Sequence, residues 1–380
     1  MIVSVKSGVK LIGVSIVTFC AVFVCTFFLN YYIDVQAVAQ SAEPSVRELF
    51  DAQILTAEIT CAITGGVLGV LTVGMLAFYV KIFTDEQSKR LGMLKALGYS
   101  DAALASRFWV FGLSVLIGAA AGYAAGSATM PFIYSEMTLD GMPSVAVQFH
   151  VELLFALVVA PPVVFGAVAC ACAAFTLRKS PTELLRGGRK EGKAKPARAL
   201  KITDKPFLSE MRGATLRGKK SAVFFVAFAC FCFSAMVQMG ASMFDLSSVP
   251  MGAMILVIGS ILAVTALIMA VTTVLNANRR NIAVMKAFGY TQKECAAALL
   301  AGYVPFALMG FAVGTVYQYG LLKMMVNVVF KNVSEVPTYE FDVAVFFITL
   351  GAFIVCYVGA MLFYVRKISN VSIKHAMSEE

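Results

Sequence analysis

Residues 89–100 read Lys-Arg-Leu-Gly-Met-Leu-Lys-Ala-Leu-Gly-Tyr-Ser, and residues 280–291 read Arg-Asn-Ile-Ala-Val-Met-Lys-Ala-Phe-Gly-Tyr-Thr, so that position 89 falls on position 280 at an offset of 191. Two copies of one pattern this far apart mark an internal repeat. In each copy Leu91, Leu94 and Leu97, or Ile282, Met285 and Phe288, set an apolar stripe at three-residue spacing, which predicts a short helix. Gly98 and Gly289 follow where a left-handed C-terminal cap is wanted, and Ser100 or Thr291 offers an N-cap oxygen to the next helix. Thr291-Gln-Lys-Glu294 completes a capping box. The pattern reads as helix, sharp turn, helix, with Lys95 or Lys286 at the bend and Tyr99 or Tyr290 just beyond it.

Outward from these turns the chain is apolar. Of 380 residues, 59% are hydrophobic and 14% charged, more apolar surface than one water-soluble core can use. A bilayer core about 30 Å thick takes roughly 20 apolar residues per spanning helix. Runs of that length predict eight spans, at about 11–33, 57–80, 108–130, 151–176, 221–240, 251–275, 296–320 and 342–365. Each repeated turn then joins the second and third span of its half. Four spans separate the copies, so the halves are parallel repeats related by an axis along the membrane normal.

The net charge of +9 does not point to nucleic acid, because the cations gather in alternate connecting segments. With the N-terminus in the cytoplasm, only Arg47, Lys323 and Lys331 of the 31 Lys and Arg lie outside. Both termini are then cytoplasmic and the outer loops are short and acidic, Asp34 among their acids. The expected organisation is a first four-helix repeat over 1–177, a basic linker over 178–220 and a second repeat with a short tail over 221–380. Within the linker, Gly187–Pro196 reads as disordered, and Phe207, Leu208, Met211 and Leu216 among basic residues read as an amphipathic helix on the inner leaflet. Lys6, Lys10 and the following apolar run imitate a secretory signal ending at Ala37-Val38-Ala39, but the run is long for one and the repeat requires it as the partner of the fifth span.

The usual catalytic and binding motifs do not develop. Gly187-x-x-x-x-Gly192-Lys193 imitates a phosphate-binding loop, yet Ala194 stands where Ser or Thr should hold the metal and no strand precedes it. The nine cysteines lie within or at the inner ends of spans without nearby histidine, which reads as packing rather than disulfide or metal chemistry. His150 and His375 fall on opposite sides of the membrane. No ionisable group is expected deep in a span, since Glu58 and Glu152 sit at outer helix ends, and this disfavours an ion-coupled carrier. Glycines at 65 and 69, at 118, 122 and 126, and at 310 and 314 recur every four residues and read as tight packing inside one bundle.

The paired Lys-Ala-Leu/Phe-Gly-Tyr-Ser/Thr turns resemble the cytoplasmic signature of FtsX-like permeases, the membrane subunits of MacB-type ABC transporters. Residues 178–186, Arg-Lys-Ser-Pro-Thr-Glu-Leu-Leu-Arg, resemble the segment after the last helix of a family repeat, with a weaker counterpart at 366–371. The resemblance implies that 89–100 and 280–291 are coupling helices seated on a separate ATP-binding cassette ATPase, one copy per loop. The site it implies comprises Leu91, Leu94, Lys95, Leu97, Gly98, Tyr99 and Ser100, with Ile282, Met285, Lys286, Phe288, Gly289, Tyr290 and Thr291. Apolar side chains would enter a cleft of the ATPase, the glycines would bend, and the lysines would face its polar rim. Many relatives carry a large extracytoplasmic domain after the first helix, whereas here that segment is only 34–56. The implied protein is a non-enzymatic permease of a bacterial plasma membrane, without cofactor, that moves an amphiphilic peptide or lipid, with pairing to a second permease chain left open. A signalling transmitter driven by the same ATPase, and an ATP-independent carrier, are the alternatives.

Overall fold

The structure is a computed structural model. It describes residues 5–41, 54, 66–137, 145–185, 213, 216, 220–246, 249–291, 294–295, 301–329 and 341–369. Among these the regular structure is helical. We number the helices α1 (Val5–Ser41), α2 (Gly66–Glu86), α3 (Ser88–Ala96), α4 (Asp101–Ser106), α5 (Val110–Met137), α6 (Val151–Leu177), α7 (Pro181–Leu185), α8 (Lys220–Leu246), α9 (Val249–Ala277), α10 (Arg279–Ala287), α11 (Val304–Val329) and α12 (Val343–Ser369).

Seven helices among the described residues are long and apolar enough to cross a membrane, at Leu11–Gln40, Asp101–Ser135, Val151–Leu177, Ser221–Phe244, Gly252–Leu275, Ala301–Met324 and Val343–Phe363. Each falls on one of the runs read from the sequence, with ends displaced by up to seven residues. The remaining run, 57–80, is met by α2, which is apolar over Thr72–Thr84, while most of the run before Gly66 lies outside the described residues. The first span is longer than expected. α1 continues unbroken to Ser41, 37 residues or about 55 Å of helix, and so carries Asp34 within the helix rather than in a loop. The disordered and amphipathic readings of the linker fall almost wholly outside the described residues. Of its apolar residues, Leu216 is placed, packed against the core.

Two seams built alike hold the halves together internally. On α5, Gly118, Gly122 and Gly126 lie against the backbone of α1 at Ser15, Phe19 and Phe23, and a Cβ at Gly122 would come within 2.6 Å of the Phe19 carbonyl oxygen. On α11, Gly310 and Gly314 lie in the same way against Ala227 and Phe231 of α8. Residue numbers climb together across both seams, so the paired helices run parallel, as alternate spans must. Small residues here let backbones touch, which matters in lipid because the tails are as apolar as the helices and no hydrophobic force drives helices together. Hydroxyl and amide groups reinforce each contact. Ser15 Oγ donates to the Ser114 carbonyl at 2.9 Å, and Ser114 Oγ to the Leu11 carbonyl at 2.8 Å. In the second seam Gln238 Nε2 donates to Ser234 Oγ and Thr315 Oγ1 at 3.0 and 2.8 Å, and Gln318 Nε2 to Ser242 Oγ at 3.1 Å.

The halves interlock reciprocally: α1 packs on α9, and α8 packs on α2. Gly13 meets Met269 at the first contact, and the Phe78 ring of α2 lies tilted, 4.8 and 5.7 Å from those of Phe224 and Phe228 of α8, at the second. One core runs through both halves. α1, α8 and α9 are its most enclosed members, whereas α12 turns Phe347, Ile348, Val355 and Phe363 outward. In α6 a wide turn at Phe155–Val159 precedes Pro161 and Pro162, absorbing the hydrogen bonds the prolines cannot donate.

Candidate functional site

The two repeated turns fold the same way. α3 ends at Ala96, after which Gly98 N–H donates to the Lys95 carbonyl at 3.1 Å and Tyr99 N–H to the Leu94 carbonyl at 3.2 Å. α10 ends at Ala287, and Gly289 and Tyr290 donate to the Lys286 and Met285 carbonyls at 3.0 and 3.1 Å. This is the Schellman pattern, which needs a residue in the left-handed region just past the helix. Gly98 and Gly289, at φ +94° and +85°, are the residues with positive φ among those described. No atom of another element approaches either position within 4 Å, so the glycine requirement is conformational, not steric.

Caps then restart the chain. Ser100 Oγ accepts from Ala103 N–H at 3.3 Å at the head of α4. Thr291 Oγ1 accepts from Glu294 N–H at 3.4 Å, while the Glu294 carboxylate accepts from Thr291 N–H at 2.9 Å, the reciprocal capping box read from the sequence. The Thr291 backbone N–H, with its hydroxyl, holds the Glu294 carboxyl below its ordinary pKa.

The residues singled out from sequence divide into two faces. Leu97, Gly98, Tyr99 and Ser100 are exposed, Leu97 by 76% of its surface, and Phe288, Gly289 and Thr291 are exposed on the second turn, Phe288 by 75%. The other stripe positions turn inward. Leu91, Ile282 and Met285 are fully buried and Leu94 packs on the core. Tyr290 packs with buried Met285 and Cys295. A three-residue spacing on a helix whose first turn abuts the bundle sends its early positions into the protein and only its last out.

Lys95 is held against its own chain. Its ammonium donates to Asp101 Oδ2 at 3.0 Å, to the Leu177 carbonyl and to the Lys179 carbonyl at 3.4 Å, and its side chain is 20% exposed. Lys286 also has partners within the chain.

Sequence reading missed one polar centre. Asp34, assigned from sequence to an outer loop, is buried in α1 near its C-terminal end. Its Oδ2 accepts from Asn30 Nδ2 at 2.9 Å, Tyr134 O–H at 3.1 Å and Gln148 N–H at 3.4 Å, and His150 Nε2 lies 2.8 Å from Oδ1. Tyr134 in turn packs edge-on against Tyr31 and Phe27. The available signal was Asn30 and Asp34 one helical turn apart, directly after an apolar run.

The architecture and its paired turns define a multi-pass membrane protein of two like halves. The model of the FtsX-like permease C-terminal domain matches twice, at 62–182 and 253–373, the same 191-residue offset that separates the turns. The chain belongs to the FtsX-like permease family, whose members are membrane components that work with ATPase subunits of ABC transporters. Each match takes in the second to fourth helices of a half and leaves α1 and α8 ahead of it. No curated protein and no solved structure matches the chain.

Proposed function

We propose that this chain is the permease subunit of an ABC transporter, with eight spans, both termini in the cytoplasm of a bacterial cell and one ATPase subunit on each repeated turn. The observation that carries the reading is the pair of identical Schellman turns, each presenting an exposed apolar residue and a glycine bend: Leu97, Gly98 and Tyr99 on one, Phe288 and Gly289 on the other. A turn with no partner has no use for a large apolar side chain three-quarters in water, and two matched copies fit two copies of one partner. The cations, Arg47, Lys323 and Lys331 apart, face the side on which such a partner would bind. The docking surface is therefore these exposed positions with Ser100 and Thr291, while Leu91, Leu94, Ile282 and Met285 anchor the turns to the bundle. ATP-driven approach of the two ATPases would move both turns and, through them, the interlocked first and second helices of each half. The substrate class that suits short outer loops and a lipid-exposed periphery is an amphiphile drawn from the membrane, a peptide or a lipid.

The test is affinity purification of the tagged chain in mild detergent. A P-loop ATPase is expected to be recovered with it and to be lost when Leu97 and Phe288 are both changed to Asp with the chain still folded. The mass of the complex distinguishes one permease chain carrying two ATPases from a paired arrangement. Absence of an ATPase under conditions that keep membrane complexes intact would refute the reading, and ATP-dependent uptake into vesicles separates transport from signalling.

A further inference from the structure

Lys95 is the residue of the first turn whose expected and observed surroundings differ most. A lysine ammonium has three donors, and here three acceptors surround it: a carboxylate at the head of α4 and two backbone carbonyls where α6 ends. The last carbonyls of a helix have no partner within it and form the negative end of its dipole, so a cation there is held by charge as well as by hydrogen bonds. A second contact braces the same junction. Gly92 lies so close to α7 that a Cβ would come within 2.8 Å of Leu184 Cβ and 3.3 Å of the Pro181 carbonyl, and Leu184 is fully buried there. Ser180 Oγ accepts from Glu183 N–H at 3.2 Å and so caps α7 in that position. α3, the end of α6 and α7 thus form one bracket, which the second turn does not repeat in sequence: Ala283 stands at the place of Gly92 and Gln292 at that of Asp101.

From this geometry we infer that Lys95 is a positioning residue that clasps the first coupling turn to the inner end of the fourth span, so that displacement of the turn is passed to that span. The inference rests on the docking reading above for its mechanical role, and on the three contacts alone for the clasp. It wires the first turn to α6 through Lys95 and Asp101. Lys95 acts through α6 and does not itself touch the ATPase.

The test uses the full chain in nanodiscs, alone and with the ATPase recovered with it, as wild type, K95M and K95R. In the chain alone, hydrogen exchange over 177–185 is expected to quicken about tenfold in K95M, the loss that follows when a charged donor leaves helix-end carbonyls, and to return towards wild type in K95R. Unchanged exchange in K95M overturns the clasp whatever the ATPase does. Should K95M fail to fold, D101N is measured instead, with a smaller change in the same direction expected and no change overturning the clasp. In the complex, K95M should keep the ATPase, since Leu97 and Tyr99 are intact, yet lose the change in exchange over 170–177 that a non-hydrolysable ATP analogue produces in the wild type. A wild-type response in K95M, or loss of its ATPase, overturns the positioning role. A wild-type chain that recovers no ATPase refutes the docking reading, and the clasp then stands or falls on the first measurement.

Discussion

At Gly98 and Gly289 the backbone sits in the left-handed region with open space around it, so any L-residue there is strained by its own Cβ and not by a neighbour. Gly98→Ala and Gly98→Leu are therefore expected to cost alike, about 1 to 2 kcal/mol each, read as loss of exchange protection at the Tyr99 and Gly98 amides. A much larger cost for Leu would show a contact that the turn does not have. Gly122→Ala is expected to behave differently, because its Cβ would meet the Phe19 backbone and the helices must part. Glu294 supplies a pH dependence. Its carboxyl pKa is lowered by bonds from Thr291, so the cap's stabilisation is complete above the ordinary carboxylate range and is lost as pH falls through the lowered folded value. A carboxyl carbon NMR titration of Glu294 checks this, and a midpoint at or above that of a free glutamate contradicts it.

The element scale is governed by close backbone approach and by polar pairs. Both parallel seams depend on glycines, and Gly118→Leu or Gly310→Leu should lower the detergent melting temperature far more than the same change at Gly320 or Gly351, where nothing lies within 4 Å. The end of the first seam at the C-terminus of α1 depends on Asp34. Replacing it by Ala leaves the Asn30 amide, the Tyr134 hydroxyl and the Gln148 N–H without their shared acceptor, at a cost of about 3 kcal/mol. Thermal unfolding of D34A beside His150→Ala measures it, and His150, being only one of the four partners and partly exposed, should cost less. Among the described residues the second seam is held by hydrogen bonds among Gln238, Ser234 and Thr315.

For the whole molecule, the distribution of cations fixes which ends face the cytoplasm if the positive-inside rule operates here. Single cysteines placed at Asp140 and at Gly187 in a chain cleared of native thiols are expected to react with a membrane-impermeant maleimide from outside and only after permeabilisation, respectively. The reverse pattern would invert the topology and remove the turns from reach of a cytoplasmic ATPase.

What was legible in the sequence was whatever depends on local physics. Apolar runs gave seven spans to within a few residues, since transfer into lipid depends on composition and length. Gly98 and Gly289 were readable as left-handed caps and Thr291 with Glu294 as a capping box, because those bonds join residues three to five apart. The fate of Leu91, Ile282, Met285 and Lys95 was not readable. Whether a helical position faces a partner or the bundle depends on what the rest of the chain brings beside it, and Lys95 meets carbonyls more than eighty residues away. Asp34 was misplaced for the same reason: a carboxylate reads as a loop residue until Tyr134, Gln148 and His150 arrive to solvate it. By itself the sequence determined seven of the spans, the duplication and the turn at each copy's end. Only the tertiary structure decided which face of each turn is left for a partner, since burial and pairing are properties of neighbours distant in the chain.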